Sequence, residues 1–290
     1  MSTPNLSRRY SCDNKDEATI QKEVDELCCL FTNARIKWQK SPFREIILSV
    51  LEKDLGPLFT TCNEDDHHHV DSAICMALGS FHVENDYKWT SSMLQLIFFL
   101  DVVELLYRLS HGAEHIKLLA QDPRFNRVDT AFLSIFDIEV LDAPKAVDYI
   151  TTKTFLFTPC IIKKPLLASI LPDRDPLLYV GHNISRLLQD LTSPIPAPGV
   201  TASLGMTEQL VEKAGMALDK DIQGLAAVAR GFLFPKRSCR VGKQMYPDAS
   251  LKNIDKRDEA WSLAMFTLQT MWIYFRQEES SLEKLHGGSK

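Results

Sequence analysis

Five short apolar runs, each followed by a small or polar residue, constrain the fold of this chain more than any other feature. The runs are Ala73–Leu78, Ile116–Ala120, Ile138–Leu141, Thr154–Phe157 and Leu177–Val180. Stretches with helical spacing separate them. Strands that lack a polar face are typical of parallel sheets, because crossover helices bury both faces of such sheets. The sequence therefore predicts an α/β fold.

The predicted core is an open, doubly wound (Rossmann-like) parallel sheet of about five strands with right-handed crossovers. The first strand is central, and the order across the sheet is third, second, first, fourth, fifth. The predicted strands are Ile74–Leu78, Lys117–Ala120, Glu139–Leu141, Phe155–Phe157 and Leu178–Val180. Added N-terminal helices and a helical or irregular C-terminal extension complete the expected fold class.

The same pattern divides the chain into three segments. Residues 1–70 form a tail and helices, residues 71–192 form the Rossmann-like core, and residues 193–290 form an extension that packs on the core as part of one compact unit. The proline-rich stretch Ser193–Gly199 marks the end of the alternating pattern. Residues 266–275 fit either a helix or a strand, so the sequence leaves that element open.

Two helices are predicted before the first strand. Apolar residues at helical spacing indicate a helix over Lys15–Trp38. A second helix begins at Ser41 as its N-cap, with Pro42 in the first helical position, and is expected to end at Gly56-Pro57.

A third long helix, about Ser91–Ser110, contains the longest apolar stretch of the chain, Met93–Leu109. Asp101, Glu104 and Arg108 interrupt that stretch, so it does not predict a membrane span. These residues lie three and four positions apart, and we expect their stripe to face water. Glu104 and Arg108 would then form an exposed pair that stabilises the helix by only ~0.3 kcal/mol.

Composition narrows the partner class and the compartment. The net charge of −5 and the sequence pI near 5.9 argue against nucleic-acid binding, which normally requires clustered Lys and Arg. Seven cysteines without a CxxC pair fit reduced thiols better than a disulfide framework. The polar start, Met1–Asp16, lacks the apolar core of a secretory signal. We expect a soluble cytoplasmic protein, with the nucleus as the alternative, and no membrane partner.

The strand ends predict one shared binding site. In a doubly wound sheet, ligands bind at the carboxyl ends of the strands where the connections change sides, which here lies between the first and fourth strands. The residues that follow the strands are Gly79-Ser80, Asp122, Thr158-Pro159-Cys160 and Gly181-His182-Asn183. Their polar groups would converge on one rim. The alternative is structural, with glycines that allow tight turns and with Asp122 and Asn183 as helix caps.

These strand ends also resemble the motifs of a known family. The motifs are Ala77-Leu78-Gly79-Ser80-Phe81, Gln95-Leu96, Asp122-Pro123-Arg124-Phe125, Thr158-Pro159-Cys160 and Gly181-His182-Asn183. Over about Ile74–Leu188 the chain is similar to the family named after the plant protein "sensitivity to red light reduced". If the family's motifs form a common site, its ligand-binding residues here are Gly79, Ser80, Phe81, Phe125, Thr158, Pro159, Gly181 and Asn183.

The chain departs from the family motifs at three positions. Ala77 replaces the first glycine, Cys160 stands where a histidine is usual, and His182 separates the glycine from the asparagine. We therefore expect the turn geometry to be kept and the polar groups near a ligand to be altered. Family members are mostly described as regulators and share no agreed reaction, so the resemblance implies a fold rather than an activity.

Three of the rim residues are candidates for chemistry. His182 is the candidate general acid or base, with Asp122 as its partner, because an imidazole titrates near neutral pH. Cys160 and His182 follow neighbouring strands, so a nucleophile and base pair is a second possibility. The structural alternative is that Cys160 is a small buried hydrophobe and His182 a loop residue.

No cofactor and no metal is predicted. Gly79 is not part of a GxGxxG or GxxxxGKS/T motif, so the usual phosphate cradles are missing, although backbone N–H groups after Gly79 leave phosphate binding open. Glu64–His69 contains three consecutive histidines, but neighbouring side chains in an extended loop point in alternate directions and rarely bind one ion. We expect this segment to be a solvated loop.

Two functions from different classes fit the sequence. In the first, the chain binds a small organic molecule and is a cofactor-independent enzyme, such as an isomerase, cyclase or lyase, that works by positioning and by one acid or base. In the second, it is a non-catalytic regulatory or interaction protein, as the resemblance implies. The altered polar residues favour the first. The sequence leaves the substrate and the oligomeric state open.

Overall fold

The computed structural model of the protein describes residues 16–60, 69–81, 86–110, 115–159, 170–171, 174, 176–181, 239–240 and 272–275. Its strands are β1 (Ser72–Met76), β2 (Lys117–Gln121), β3 (Ile138–Val140), β4 (Thr154–Thr158), β5 (Leu178–Gly181), β6 (Cys239–Arg240) and β7 (Trp272–Phe275). Its helices are α1 (Glu17–Gln39), α2 (Pro42–Thr60), α3 (Asp86–Leu109), α4 (Arg127–Ser134) and a 3-10 helix (Lys145–Tyr149).

The strands form one sheet in the order β3-β2-β1-β4-β5-β7-β6. All pairings among β1 to β5 are parallel, so the predicted five-stranded core with a central first strand is confirmed. β1 itself begins and ends two residues earlier than predicted. β7 pairs antiparallel with β5, and β6 pairs antiparallel with β7. The open element near the C-terminus thus contains a strand, and the predicted division of the chain into three segments stays a prediction.

Strands β1, β4 and β5 are buried on both faces, as the continuous apolar runs predict, whereas β2 and β3 have exposed residues. On one face, Phe155 and Phe157 of β4 stack on Phe99 of α3, with ring centroids 5.5 and 5.9 Å apart. Neighbouring residues along the strands point to opposite faces. The opposite face carries Leu156, which lies between the two phenylalanines, and its neighbour Tyr179 on β5. Both side chains are completely buried, and neither belongs to the hydrophobic cluster that contains the phenylalanine rings. The chain therefore has an α/β, Rossmann-like fold.

Helix α1 covers helices of the core. It begins after Asp16, whose side chain accepts a hydrogen bond from the Thr19 N–H at 2.7 Å. Its buried residues recur at helical spacing and are Ile20, Val24, Leu27, Phe31, Ala34 and Trp38. Phe31 packs on the rings of Phe132 and Phe136, at centroid distances of 6.1 and 4.6 Å. Through these residues α1 lies against both α3 and α4.

Helix α2 begins as predicted and ends later than predicted. Ser41 Oγ accepts a hydrogen bond from the next but one backbone N–H at 3.3 Å, as an N-cap does. The predicted end at Gly56-Pro57 is wrong, because Pro57 lies inside the helix. Leu55 and Phe59 stand four positions apart and are both buried. Their packing on one helical face holds the helix together beyond the proline.

The polar stripe of α3 is only partly solvated. Asp101 is buried, contrary to expectation, and its Oδ2 accepts hydrogen bonds from Trp38 Nε1 at 2.7 Å and Arg44 Nε at 2.6 Å. Arg108 is exposed and pairs with Glu52 of α2 at 3.7 Å instead of its predicted partner on α3. Asp101 therefore joins α1, α2 and α3.

Helix α3 starts at Asp86, earlier than the predicted Ser91. It carries the long apolar stretch of the sequence. Among the helices of the described residues, neither α3 nor any other is long and apolar enough to cross a membrane.

Candidate functional site

The loop after β1 turns sharply at the carboxyl edge of the sheet. Ala77 has a φ of 61° and Gly79 a φ of 82°, so two residues of this loop are in the left-handed region. Glycine enters that region without steric penalty, whereas the Cβ of alanine crowds the backbone there. The loop thus keeps the expected turn although Ala77 replaces a glycine. Ser92 of α3 supports the loop, since its Oγ donates to the Leu78 carbonyl at 2.7 Å.

Asp122 joins this loop to the turn after β2. Its Oδ2 accepts the Gly79 N–H at 2.7 Å, and its Oδ1 accepts the Arg124 N–H at 2.8 Å. The Arg124 side chain adds longer contacts, from Nε to Oδ1 at 3.3 Å and from Nη2 to Oδ2 at 3.4 Å. Only 1% of the Asp122 side chain is exposed. Both carboxylate oxygens therefore hold two loops together, and a role of Asp122 in proton transfer stays a prediction.

A second buried carboxylate, Asp129 of α4, holds the same loop. Its Oδ1 accepts the Phe81 N–H at 2.8 Å, and its Oδ2 accepts the Asn126 N–H at 3.0 Å. Asn126 in turn caps α4, because its Oδ1 accepts the Asp129 N–H at 3.1 Å. The N–H groups of Gly79 and Phe81 are therefore already used by the protein's own carboxylates. The Phe81 N–H is therefore not available to a phosphate in this conformation, and phosphate binding by the other N–H groups after Gly79 stays a prediction.

Arg124 lies directly over Gly79. A Cβ at residue 79 would be 2.6 Å from Nη2 and 3.2 Å from Cζ of Arg124. Glycine is thus required here both for its positive φ and for the close approach of the guanidinium. Next to Arg124, the partly exposed ring of Phe125 stacks on Phe81 at a centroid distance of 6.2 Å and an interplanar angle of 12°. A cation and an aromatic ring therefore stand together at this edge.

The ends of β4 and β5 contain a close pair of hydroxyl groups. Thr158 lies opposite Gly181 in the parallel pairing, and its Oγ1 donates to Tyr179 Oη at 3.1 Å. A Cβ at Gly181 would be 2.4 Å from Thr158 Oγ1 and 2.5 Å from Tyr179 Oη. The absence of a side chain at Gly181 therefore leaves the space that these two hydroxyls fill.

The structure places the described candidate residues at one edge of the sheet. Gly79, Ser80 and Phe81 follow β1, Asp122 and Phe125 follow β2, Thr158 ends β4 and is followed by Pro159, and Gly181 ends β5. Cys160, His182 and Asn183 lie outside the described residues, so their position at this edge stays a prediction. Within the described ranges, no group of three or more His, Cys, Asp or Glu side chains could hold a metal ion.

Sequence reasoning misses three residues at this edge, Arg124, Asp129 and Tyr179. Asp129 carries a usable signal, because Asn126 followed three positions later by an acidic residue is a capping-box pattern. Arg124 stands at the variable position of the Asp-Pro-x-Phe motif, and Tyr179 stands inside an apolar run. Neither position carries a local signal, since Arg124 approaches Gly79 of an earlier loop and Tyr179 contacts Thr158 of another strand.

Comparison with family models agrees with the resemblance seen in the strand ends. A family model for the SRR1 domain matches residues 43–253. No curated protein and no solved structure matches the chain significantly. The family match covers more than half of the chain and includes all of the candidate residues. The chain therefore belongs to the SRR1 domain family, the family of sensitivity to red light reduced-like domains.

Proposed function

We propose that the chain binds a small organic molecule in the crevice between the carboxyl ends of β1 and β4. The observation that carries this proposal is the strand order, in which β1 lies between β2 and β4. The chain builds the sheet outward from β1 through β2 to β3 and then returns to the other side of β1 with β4. In open α/β sheets, such a change of direction is where ligands bind.

The chemistry of the described strand ends supports this proposal. Ser80 follows β1 and Thr158 ends β4, so two buried hydroxyl residues flank the crevice, on strands that are ~4.8 Å apart. Phe125, whose partly exposed ring stacks on the buried ring of Phe81, adds aromatic surface, and Arg124 adds a cation. Sites for small molecules combine apolar surface with a few polar groups in this way.

A cofactor-independent isomerase, cyclase or lyase is the catalytic form of this proposal. In this form His182 transfers the proton and the strand ends position the substrate. Cys160 as a nucleophile is the alternative chemistry. Because both oxygens of Asp122 accept hydrogen bonds within the protein, we assign Asp122 to positioning. The second candidate function is a non-catalytic regulator that binds a ligand in this crevice. The hydrogen bonds that Asp122 accepts within the protein support it, because they leave this carboxylate without a role in proton transfer.

Ligand mapping on the full chain tests the binding proposal. A set of small neutral and charged organic fragments is titrated into 15N-labelled protein, and the amide resonances are followed by NMR. We expect saturable shifts at the carboxyl edge, at residues 78–81 and at Thr158. Asp71 and Lys153, which are hydrogen bonded to each other at the amino edge, serve as the control. Fragments that shift both edges equally, or no saturable shift at all, would contradict the proposal.

The catalytic form is tested with the molecule that this mapping identifies. His182→Ala should lower turnover of that molecule by roughly 100-fold or more, the usual contribution of one proton-transfer group. Its thermal unfolding should match that of the unaltered chain. Full activity of the variant would remove the acid–base role, and loss of folding would show that His182 is structural.

A further inference from the structure

We propose that Arg124 recognises an oxyanion of the bound molecule, so that the ligand of the crevice is a small organic acid or a phosphate ester. This inference rests on the proposed function and adds the chemical class of the ligand. The chemistry common to both ligand types is a group of negatively charged oxygens, which the planar guanidinium fork of arginine binds with two parallel hydrogen bonds.

The position of the guanidinium is the first step of the argument. Arg124 follows β2, yet its Nη2 lies so close to Gly79 that a Cβ there would be 2.6 Å away. Gly79 follows the central strand β1, which forms one wall of the crevice. The guanidinium is therefore drawn from its own strand end to the rim of the crevice. Any side chain at residue 79 would have to push it away.

The second step is that Asp122 occupies only some of the hydrogen-bond donors of the guanidinium. The shortest hydrogen bonds of this carboxylate come from the backbone N–H groups of Gly79 and Arg124, at 2.7 and 2.8 Å. The two side-chain contacts from Arg124 are longer, at 3.3 and 3.4 Å. A guanidinium has five N–H donors, so these contacts leave three. No other acceptor among the described residues binds the Arg124 side chain, which is 56% exposed.

The third step is a comparison with other cations of the described chain. Lys145 lies 3.2 Å from Asp142, and Arg127 pairs with Glu17 of α1. In both pairs the acidic partner is highly exposed, as in ordinary surface ion pairs. The acidic partner of Arg124 is instead buried and held by backbone donors, so it fixes the guanidinium on one side. The rest of the Arg124 side chain is exposed to solvent.

The test uses 15N-labelled full-length protein, titrated separately with sodium phosphate and with sodium acetate at constant ionic strength. We expect a saturable shift of the Gly79 amide resonance with at least one anion. Saturation by phosphate alone would assign a phosphate ester, and saturation by acetate would assign an organic acid. Arg124→Gln should weaken this binding at least about tenfold, because a charge-assisted hydrogen bond is lost. The affinity of Arg124→Lys should lie between those of Arg124→Gln and the unaltered protein, because lysine keeps the positive charge but lacks the planar guanidinium fork.

Arg108→Gln is the matched control, because the side chain of Arg108 is also 56% exposed and lies in the last turn of α3. It should bind both anions as the unaltered chain does. Equal affinity in Arg124→Gln and the unaltered protein would overturn the inference. Should Arg124→Gln fail to fold by circular dichroism, unchanged affinity of Arg124→Lys would overturn it instead. Binding of neutral fragments at the carboxyl edge, without saturable binding of either anion, would overturn this inference and leave the proposed function standing. If no fragment binds at the carboxyl edge, the proposed function itself is wrong.

Discussion

Replacing Ala77 by glycine should stabilise the protein. Ala77 has a φ of 61°, a conformation in which the Cβ of an L-residue is crowded by the backbone. The strain of a left-handed non-glycine residue is about 1–2 kcal/mol. Ala77→Gly removes this strain without moving the loop, because glycine adopts the same φ freely.

Two smaller effects oppose this gain. Glycine adds freedom to the unfolded chain, which lowers stability by about 0.4–1 kcal/mol. The methyl group of Ala77 is half-buried, and its removal forfeits about 0.4 kcal/mol of the ~0.8 kcal/mol that a fully buried methylene contributes. The net expectation is a free energy of unfolding about 0.5 kcal/mol higher than that of the unaltered chain. Urea unfolding followed by tryptophan fluorescence measures this difference through the midpoint concentration.

Ala73→Gly is the matched control, because Ala73 stands in the same strand region, is completely buried and lies in an extended conformation. It loses a buried methyl group and gains no relief of strain, so we expect it to destabilise the protein by about 1.5 kcal/mol. The two midpoints should therefore fall on opposite sides of the unaltered chain. The reasoning is refuted if Ala77→Gly shifts the midpoint downward by as much as Ala73→Gly does.

Three further predictions concern contacts at the edge of the sheet and in the helices. Gly181→Ala should destabilise the protein by about 1–3 kcal/mol, because the new Cβ would be 2.4 Å from Thr158 Oγ1; an unchanged urea midpoint would contradict this. Asp101→Ala should lower the free energy of unfolding by about 2–4 kcal/mol, since a tryptophan N–H and a guanidinium lose their shared acceptor; a loss below about 0.5 kcal/mol would show that water replaces the carboxylate. Burial raises the pKa of the Cys28 thiol, with smaller contributions from neighbouring charges, so near neutral pH Cys28 holds less thiolate than a cysteine with an ordinary pKa. Iodoacetamide should therefore label the exposed Cys29 faster than Cys28, which peptide mass spectrometry would measure. Faster labelling of Cys28 would refute this prediction.

The parallel core was predictable because its information is local. Phe155 and Phe157 alternate with other apolar residues in one short run, and such a run has no face that water could cover. The strand ends follow from the same runs, so the sequence also predicts the edge of the sheet at which Gly79 and Thr158 lie. Residues 266–275 carry two periodicities at once, and the pairing of β7 with β5 decides for a strand over Trp272–Phe275, the described part of this segment.

Two of the failures involve partners that are distant in sequence. Asp101 looked solvated because its charged neighbours on the helix are solvated, while Trp38 and Arg44 stand 63 and 57 residues away. The bond from Gly79 to Asp122 spans 43 residues, so the sequence could suggest that both are at one edge but not that they bind each other. Pro57 carried a strong local stop signal that the burial of neighbouring apolar side chains overrides.

The place of α1 has a consequence for how the protein can be divided. The family match begins at residue 43, whereas α1 ends at Gln39. A chain shortened to the matched region would expose Phe132 of α4, which packs on Phe31, and would remove the indole partner of Asp101. The region shared with the family and the region that packs as one core therefore begin at different residues of this protein. A deletion variant that starts at residue 43 and loses function could therefore have lost its folding rather than a residue that the function requires.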